Sequence, residues 1–182
     1  MLHSLCIMHI YRDIPGHELA LPVAVRAGAE GSGRVDMPLD RIERETMLLG
    51  RYMHLLTPRV EWRLDRSAYI LLSRIEVEGP MSIGQLGEAF GLDASTLNRQ
   101  TAAMLRAGVV ERIPDPDGGI ARKFAITDEG ARRLDSDRTR NLAGLAKVMA
   151  DWTPEEAEQL ATSLSRLNLS IERLDGRPWP RD

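Results

Sequence analysis

Residues 82–130 read SIGQLGEAFGLDASTLNRQTAAMLRAGVVERIPDPDGGIARKFAITDEG. Ser82 and Gln85 have the S-x-x-Q spacing of a capping box, which opens a short helix through Leu86, Ala89 and Phe90 that Gly91 ends. Asp93 then caps a second helix, Ala94 to Ala107, with Leu97, Thr101, Met104 and Leu105 on one side and Gly108 as its left-handed terminator. Two short helices joined by Gly91-Leu92-Asp93 have helix-turn-helix spacing. Beyond them, Val109–Ile113 and Arg122–Thr127 read as strands around the turn-rich D-P-D-G-G at 115–119, which makes a hairpin or wing.

Further along, Thr127 caps a long helix carrying Leu134, Leu142, Leu145, Val148 and Met149. Thr153-Pro154-Glu155-Glu156 starts another, with Thr at the cap and Pro first inside. That last helix runs to about Leu174 and repeats Ala157, Leu160, Ala161, Leu164, Leu167, Ile171 and Leu174 at nearly heptad spacing, a stripe too long to stay exposed on a small monomer. Upstream, Arg66–Glu78 is a helix stopped by Gly79-Pro80. Pro38 to about Thr57 is an amphipathic one, ended where Pro58 disfavours helical geometry in the residue before it. Residues 1–36 carry no sustained period and end in a glycine-rich linker before Met37, so they read either as non-native leader or as a mobile tail.

At 182 residues the chain has room for one core with modest appendages. Hydrophobic residues make up 43% but aromatics only 4%, so that core is packed by aliphatic side chains and Met, which favours helices. Charged residues at 28% and a net charge of -3 place the chain among ordinary globular proteins, away from polybasic tails and disordered segments. No stretch approaches the ~18 apolar residues of a membrane span, and the N-terminus lacks a positive n-region and a cleavage site. A cytoplasmic location is expected. Arg outnumbers Lys so heavily, with only Lys123 and Lys147, that GC-rich coding is the simplest cause. The lone Cys6 excludes an internal disulfide. His3, Cys6 and His9 could gather a soft metal on a helix, but no fourth ligand accompanies them, so an incidental thiol and no metal or cofactor are expected.

The helix-turn-helix residues from Ser82 to Gln100, the L-R-A-G-V-V-E-R that follows, the D-P-D-G-G turn and the F-A-I-T-D-E-G beyond it resemble the MarR family of bacterial transcriptional regulators. The resemblance covers roughly residues 39–174. It implies a mainly α fold with a small β wing, a winged helix-turn-helix with N- and C-terminal dimerisation helices, acting as a homodimer on double-stranded DNA. It also implies response to a small aromatic or anionic effector. The expected organisation is a single domain over 37–182, with a DNA-binding lobe at about 66–127 and dimerisation helices at about 38–57 and 128–174. One departure stands out. Many members carry D-R-R at the wing tip, whereas Gly118, Gly119 and Ile120 stand there in this chain, leaving Arg122 as the nearest basic substitute.

On a helical wheel the side of the second helix opposite Leu97, Thr101, Met104 and Leu105 carries Ser95, Thr96, Arg99, Ala102, Ala103 and Arg106. Small residues around an arginine suit close approach to a major groove, where Arg99 reaches guanine O6 and N7 and Ser95 or Thr96 meets bases or phosphates. The candidate DNA contacts are Ser95, Thr96, Asn98, Arg99, Arg106 and Arg122. Against this, residues 82–127 balance Arg99, Arg106, Arg112, Arg122 and Lys123 with Glu88, Asp93, Glu111, Asp115 and Asp117. That neutrality keeps a second reading open, a winged-helix protein-interaction module without DNA binding. Tyr52, His54, Trp62 and Tyr69 cluster near the first two helices, where the resemblance places an effector cleft. The same aromatics at helical spacing also fit a core. No G-x-S-x-G, Walker loop, dinucleotide fingerprint or H-E-x-x-H appears, so an enzyme is not expected.

Overall fold

The computed structural model describes residues 37–53 and 63–181. Among the described residues six helices and one hairpin follow in the order α1 (Leu39–Tyr52), α2 (Arg66–Glu78), α3 (Ile83–Phe90), α4 (Ala94–Arg106), β1 (Val110–Ile113), β2 (Lys123–Ile126), α5 (Asp128–Val148) and α6 (Pro154–Asp175). The mainly helical fold with a small antiparallel hairpin agrees with the sequence reading. α1 is helical through Tyr52, and Met53 lies in a turn; the expected extension to Thr57 lies outside the described residues, as do His3, Cys6, His9 and the rest of 1–36. The boundary between two structural units falls inside α1, after Glu45.

Capping side chains place the helix starts. Asp65 accepts from the Ala68 N–H at 2.8 Å to start α2. Ser82 and Gln85 form the reciprocal box of α3 at 3.2 and 2.8 Å. Gly91 ends α3 in the left-handed region at φ 63°, and Gly108 turns the chain from α4 into the wing at φ 68°. In the wing, Val110 pairs with Ile126 and Ile113 with Lys123, and both strands are slightly shorter than read from sequence. Phe124 also exchanges two backbone hydrogen bonds with Met81, at 2.8 and 3.1 Å, which fastens the wing to the start of the helix-turn-helix.

The core is built from Leu64, Ala68, Leu71, Leu72, Ile75, Met81, Leu86, Leu97, Met104, Val109, Val110, Phe124 and Leu134. It joins α2, α3, α4, the wing and the first turns of α5, whereas α1 and α6 bury no residue. Asp137, 2% exposed, reaches across from α5 to accept the Leu64 N–H at 3.0 Å and meets Arg140 at 2.8 Å. Both of its oxygens are therefore partnered, as a buried carboxylate requires.

The T-D-E-G at 127–130 has a steric reason. Thr127 donates its hydroxyl to the Gly108 carbonyl at 2.7 Å and accepts the Gly130 N–H at 3.0 Å. A Cβ on Gly130 would lie 2.0 Å from the Val109 carbonyl oxygen. Helix propensity alone favours Ala over Gly by about 1 kcal/mol. Here the obstacle is backbone, so Gly130→Ala should reverse the sign and destabilise the fold by ~1–3 kcal/mol or more. A lowered midpoint in thermal or urea unfolding is the expected result.

Candidate nucleic-acid interface

α4 turns Leu97, Thr101 and Met104 into the core, with Leu105 partly buried beside them. Ser95, Asn98, Arg99 and Arg106 are exposed, and Thr96, Ala102 and Ala103 are half-buried, so the outer face is low apart from its arginines. The buried Thr101 hydroxyl bonds back to the Leu97 carbonyl at 2.8 Å, which satisfies it within the helix. No ion pair or hydrogen bond engages the side chains of Arg99, Arg106 or Arg122 among the described residues, so these cations are available to an external anion.

At the start of α4, Asp93 collects three bonds: the Thr96 N–H at 2.8 Å, the Thr96 hydroxyl at 2.9 Å and the Ser95 hydroxyl at 2.5 Å. The Ser95 bond leads these in holding its carboxyl well below the usual carboxylate range. This bears on Ser95 and Thr96 as sequence candidates. Each hydroxyl has one proton and gives it to Asp93, so in this arrangement they can only accept from a base, and donating to phosphate requires them to leave the cap. The carboxylate also counters the positive end of the helix, where an anion would otherwise settle.

The wing organises its charge internally. Lys123, only 8% exposed, meets Asp115 at 2.7 Å and Asp117 at 2.9 Å. Asp115 in turn accepts the Asp117 N–H at 3.1 Å. The hydrogen bond to Asp115, followed by that to Asp117, raises the Lys123 pKa, and Lys123 chiefly lowers that of Asp115. A Cβ on Gly119 would fall 2.2 Å from an Asp115 oxygen, so a side chain there would shift the Asp115 carboxylate that Lys123 holds. Ile120 and Arg122 remain outside this cage and exposed. Arg112 lies over the Phe124 ring at 5.3 Å. Sequence reasoning counted Lys123 simply as a charge; the signal for its role is a lysine on the strand returning from two aspartates in one tight turn.

The aromatic candidates are not brought into one pocket by the described residues. Tyr52 is exposed at the end of α1, with the Arg51 guanidinium 5.8 Å from its ring centre. Tyr69 packs partly buried against the core. His54 and Trp62 lie outside the described residues. A groove of about 370 Å³ runs along α6 at Ala161, Ser165 and Leu169, and one of about 360 Å³ along α5 at Arg132, Ser136 and Arg140. Neither includes Tyr52 or Tyr69. Among the described residues no group of three or more His, Cys, Asp or Glu is placed to hold a metal ion. None of the described helices is long and apolar enough to cross a membrane.

Comparison with known proteins agrees with this geometry. The MarR family model matches residues 64–118, which span α2, the helix-turn-helix and the first half of the wing. YxaD of Bacillus subtilis (strain 168), an uncharacterized HTH-type transcriptional regulator, is 33% identical over 133 residues, covering 72% of this chain and 93% of its own. A MarR family protein from Bacillus stearothermophilus superposes with a TM-score of 0.56 at 21% identity, over 74% of this chain and 90% of that one. The PcaV transcriptional regulator from Streptomyces coelicolor, solved in complex with its natural ligand, has a TM-score of 0.50 at 21% identity, over 81% and 100% of the two chains. With a relative this similar over nearly its whole length, and with the outer face of α4 open beside a wing, the chain belongs to the MarR family and is a DNA-binding transcriptional regulator.

Proposed function

We propose that the chain acts in the cytoplasm as a homodimer that grips a pseudo-palindromic operator with one α4 per subunit, represses transcription there and lets go when a small effector binds. The observation that carries this reading is the outer face of α4, where Arg99 stands unpaired among small side chains. Arg99 reads a base, with Asn98, Ser95 and Thr96 beside it, while Arg106 and Arg122 hold the backbone. The working division is a DNA-binding lobe at about 66–127 and dimerisation helices at about 38–57 and 128–174. Supporting the dimer, Leu142, Leu145 and Val148 on α5 and Leu160, Leu164, Leu167, Leu169, Ile171 and Leu174 on α6 are exposed, more apolar surface than a lone small domain carries. Two such faces related by a two-fold axis cover each other.

For the effector, Tyr52, His54, Trp62 and Tyr69 are the proposed contacts. Arg138 of α5 pairs with Glu76 at 2.7 Å, and that pair, with a smaller contribution from Tyr69, raises its pKa, which puts a charged pair near one of these rings.

The dimer should scatter light as about twice the 20.3 kDa chain mass at micromolar concentration, and a stable monomer would reject it. Arg99→Ala should cost ~1–3 kcal/mol on the operator and relax preference at one base position per half-site. By contrast, Arg122→Ala should weaken all sequences nearly alike and make the salt slope shallower by about one for each phosphate no longer neutralised, doubled in the dimer. Titrations on operator and scrambled duplexes at several salt concentrations separate these outcomes, and unchanged binding in both variants would move the reading to a protein-interaction module. Lys123→Met should also weaken binding to every sequence, more at low salt than at high, because it leaves Asp115 and Asp117 as bare carboxylates beside phosphate.

A further inference from the structure

Beyond α6 the chain turns back. Gly176 adopts φ 73° and its N–H closes on the Glu172 carbonyl at 2.9 Å, which sends residues 177–181 toward the helix-turn-helix. Glu172 then holds the returning segment. It accepts the Trp179 N–H at 3.1 Å and pairs with the Arg181 guanidinium, and that pairing above all keeps its carboxyl down at about 2. Pro178 and Pro180 stiffen the segment between these anchors.

At its other side this segment meets three parts of the DNA-binding lobe. The Trp179 ring packs edge-on against Phe90, the last residue of α3, with centroids 6.1 Å apart at 67°. Arg74 of α2 lies over the same indole at 5.4 Å and donates to the Pro178 carbonyl at 2.9 Å. Its other nitrogens hold Glu78 at 2.8 and 2.9 Å. The guanidinium of Arg177 lies against the turn itself, so close that a Cβ on Gly91 would sit 2.7 Å from its Cζ. Arg74 is 8% exposed although it shares α2 with Leu71, Leu72 and Ile75, and a charge buried so deeply needs partners. Part of its coordination comes from the returning segment. α6 buries no residue of its own, so its C-terminal end meets the lobe through these contacts.

We propose that residues 177–181 are a strap that ties the end of α6 to the helix-turn-helix, and that Trp179 is a positioning residue that sets the angle at which α4 is presented to DNA. This rests on the dimer reading above: if α6 belongs to the two-fold interface, the angle between α6 and α4 fixes the distance between the two recognition helices, and so the half-site spacing the protein accepts. One base pair more or less between half-sites rotates one against the other by roughly 35°. A strapped lobe rejects that rotation, and a released one follows it.

The test uses the full chain and operators that the wild-type protein selects from a random duplex library, rebuilt with the half-sites one base pair closer or further apart. Wild type should bind the selected spacing well above the shifted ones. Trp179→Ala removes the ring from Phe90 and Arg74 and should shrink that preference by about tenfold. Its dimer mass should stay the same, and its melting temperature should fall by no more than a few degrees. Trp179→Phe, which keeps a ring at the site, should restore most of the preference. If Trp179→Ala does not fold, Arg177→Ala, which frees the turn at Gly91 without touching the core, is read by the same criterion. A folded variant that keeps the full spacing preference overturns the strap. A wild type indifferent to spacing, or monomeric, overturns the dimer reading and the strap with it.

Discussion

The first turn of α5 lies directly on the backbone that leaves α4, and much of the architecture depends on that contact. Gly130 faces the Val109 carbonyl with no room for a side chain, while the Thr127 hydroxyl bridges the Gly108 carbonyl and the Gly130 amide. A helix that begins here is aimed by the recognition helix and the wing together. Asp137 adds a second fixed point two turns on, through the Leu64 amide ahead of α2. The DNA-binding lobe and the start of α5 therefore share one core, ending at Leu134, and nothing in that stretch is free to pivot without breaking buried contacts.

Charge is arranged by the same economy of space. Between Ser82 and Thr127 the acidic and basic residues cancel in number, but they do not act equally. Asp115 and Asp117 are held by Lys123, and Asp93 by the hydroxyls and amide that it caps. The arginines on the outer face of α4 and beyond the wing tip have no such partner among the described residues. Asp93, Asp115 and Asp117 are thus occupied from within while Glu88 and Glu111 stay exposed, and this formally neutral segment still presents arginines outward on α4 and beyond the wing tip. Placed arginines, doubled by symmetry in a dimer, are what such a surface offers to phosphate.

Much of the local structure was legible in the sequence because its causes are local. Caps at Ser82, Asp93, Thr127 and Thr153 each act within one helical turn, the left-handed glycines at 91 and 108 relieve strain at a single residue, and the periodicity of α2 to α6 follows from which face is apolar. The inward and outward faces of α4 follow in the same way, since a helix of known period has only one apolar side. These features need no knowledge of what packs where.

Other features came only with the fold, and in each case the partners are remote in sequence or the competition is between neighbours of equal propensity. The sequence cannot rank the possible partners of Lys123; the hairpin brings it over two aspartates and removes it from the surface. Ser95 and Thr96 are equally good as DNA contacts or cap partners until Asp93 is seen to take both protons. Tyr52 and Tyr69, alike as aromatics on helices, part ways once packing leaves one exposed and half-buries the other. The contact of Trp179 with Phe90 and Arg74 joins residues roughly a hundred positions apart, and no local pattern encodes it. Where each helix begins, which way it faces and the presence of a winged helix-turn-helix are written in short stretches of residues. Which charges reach outward and what holds the last helix to the reading head are settled in the folded chain alone, because both depend on distances that close when distant segments meet.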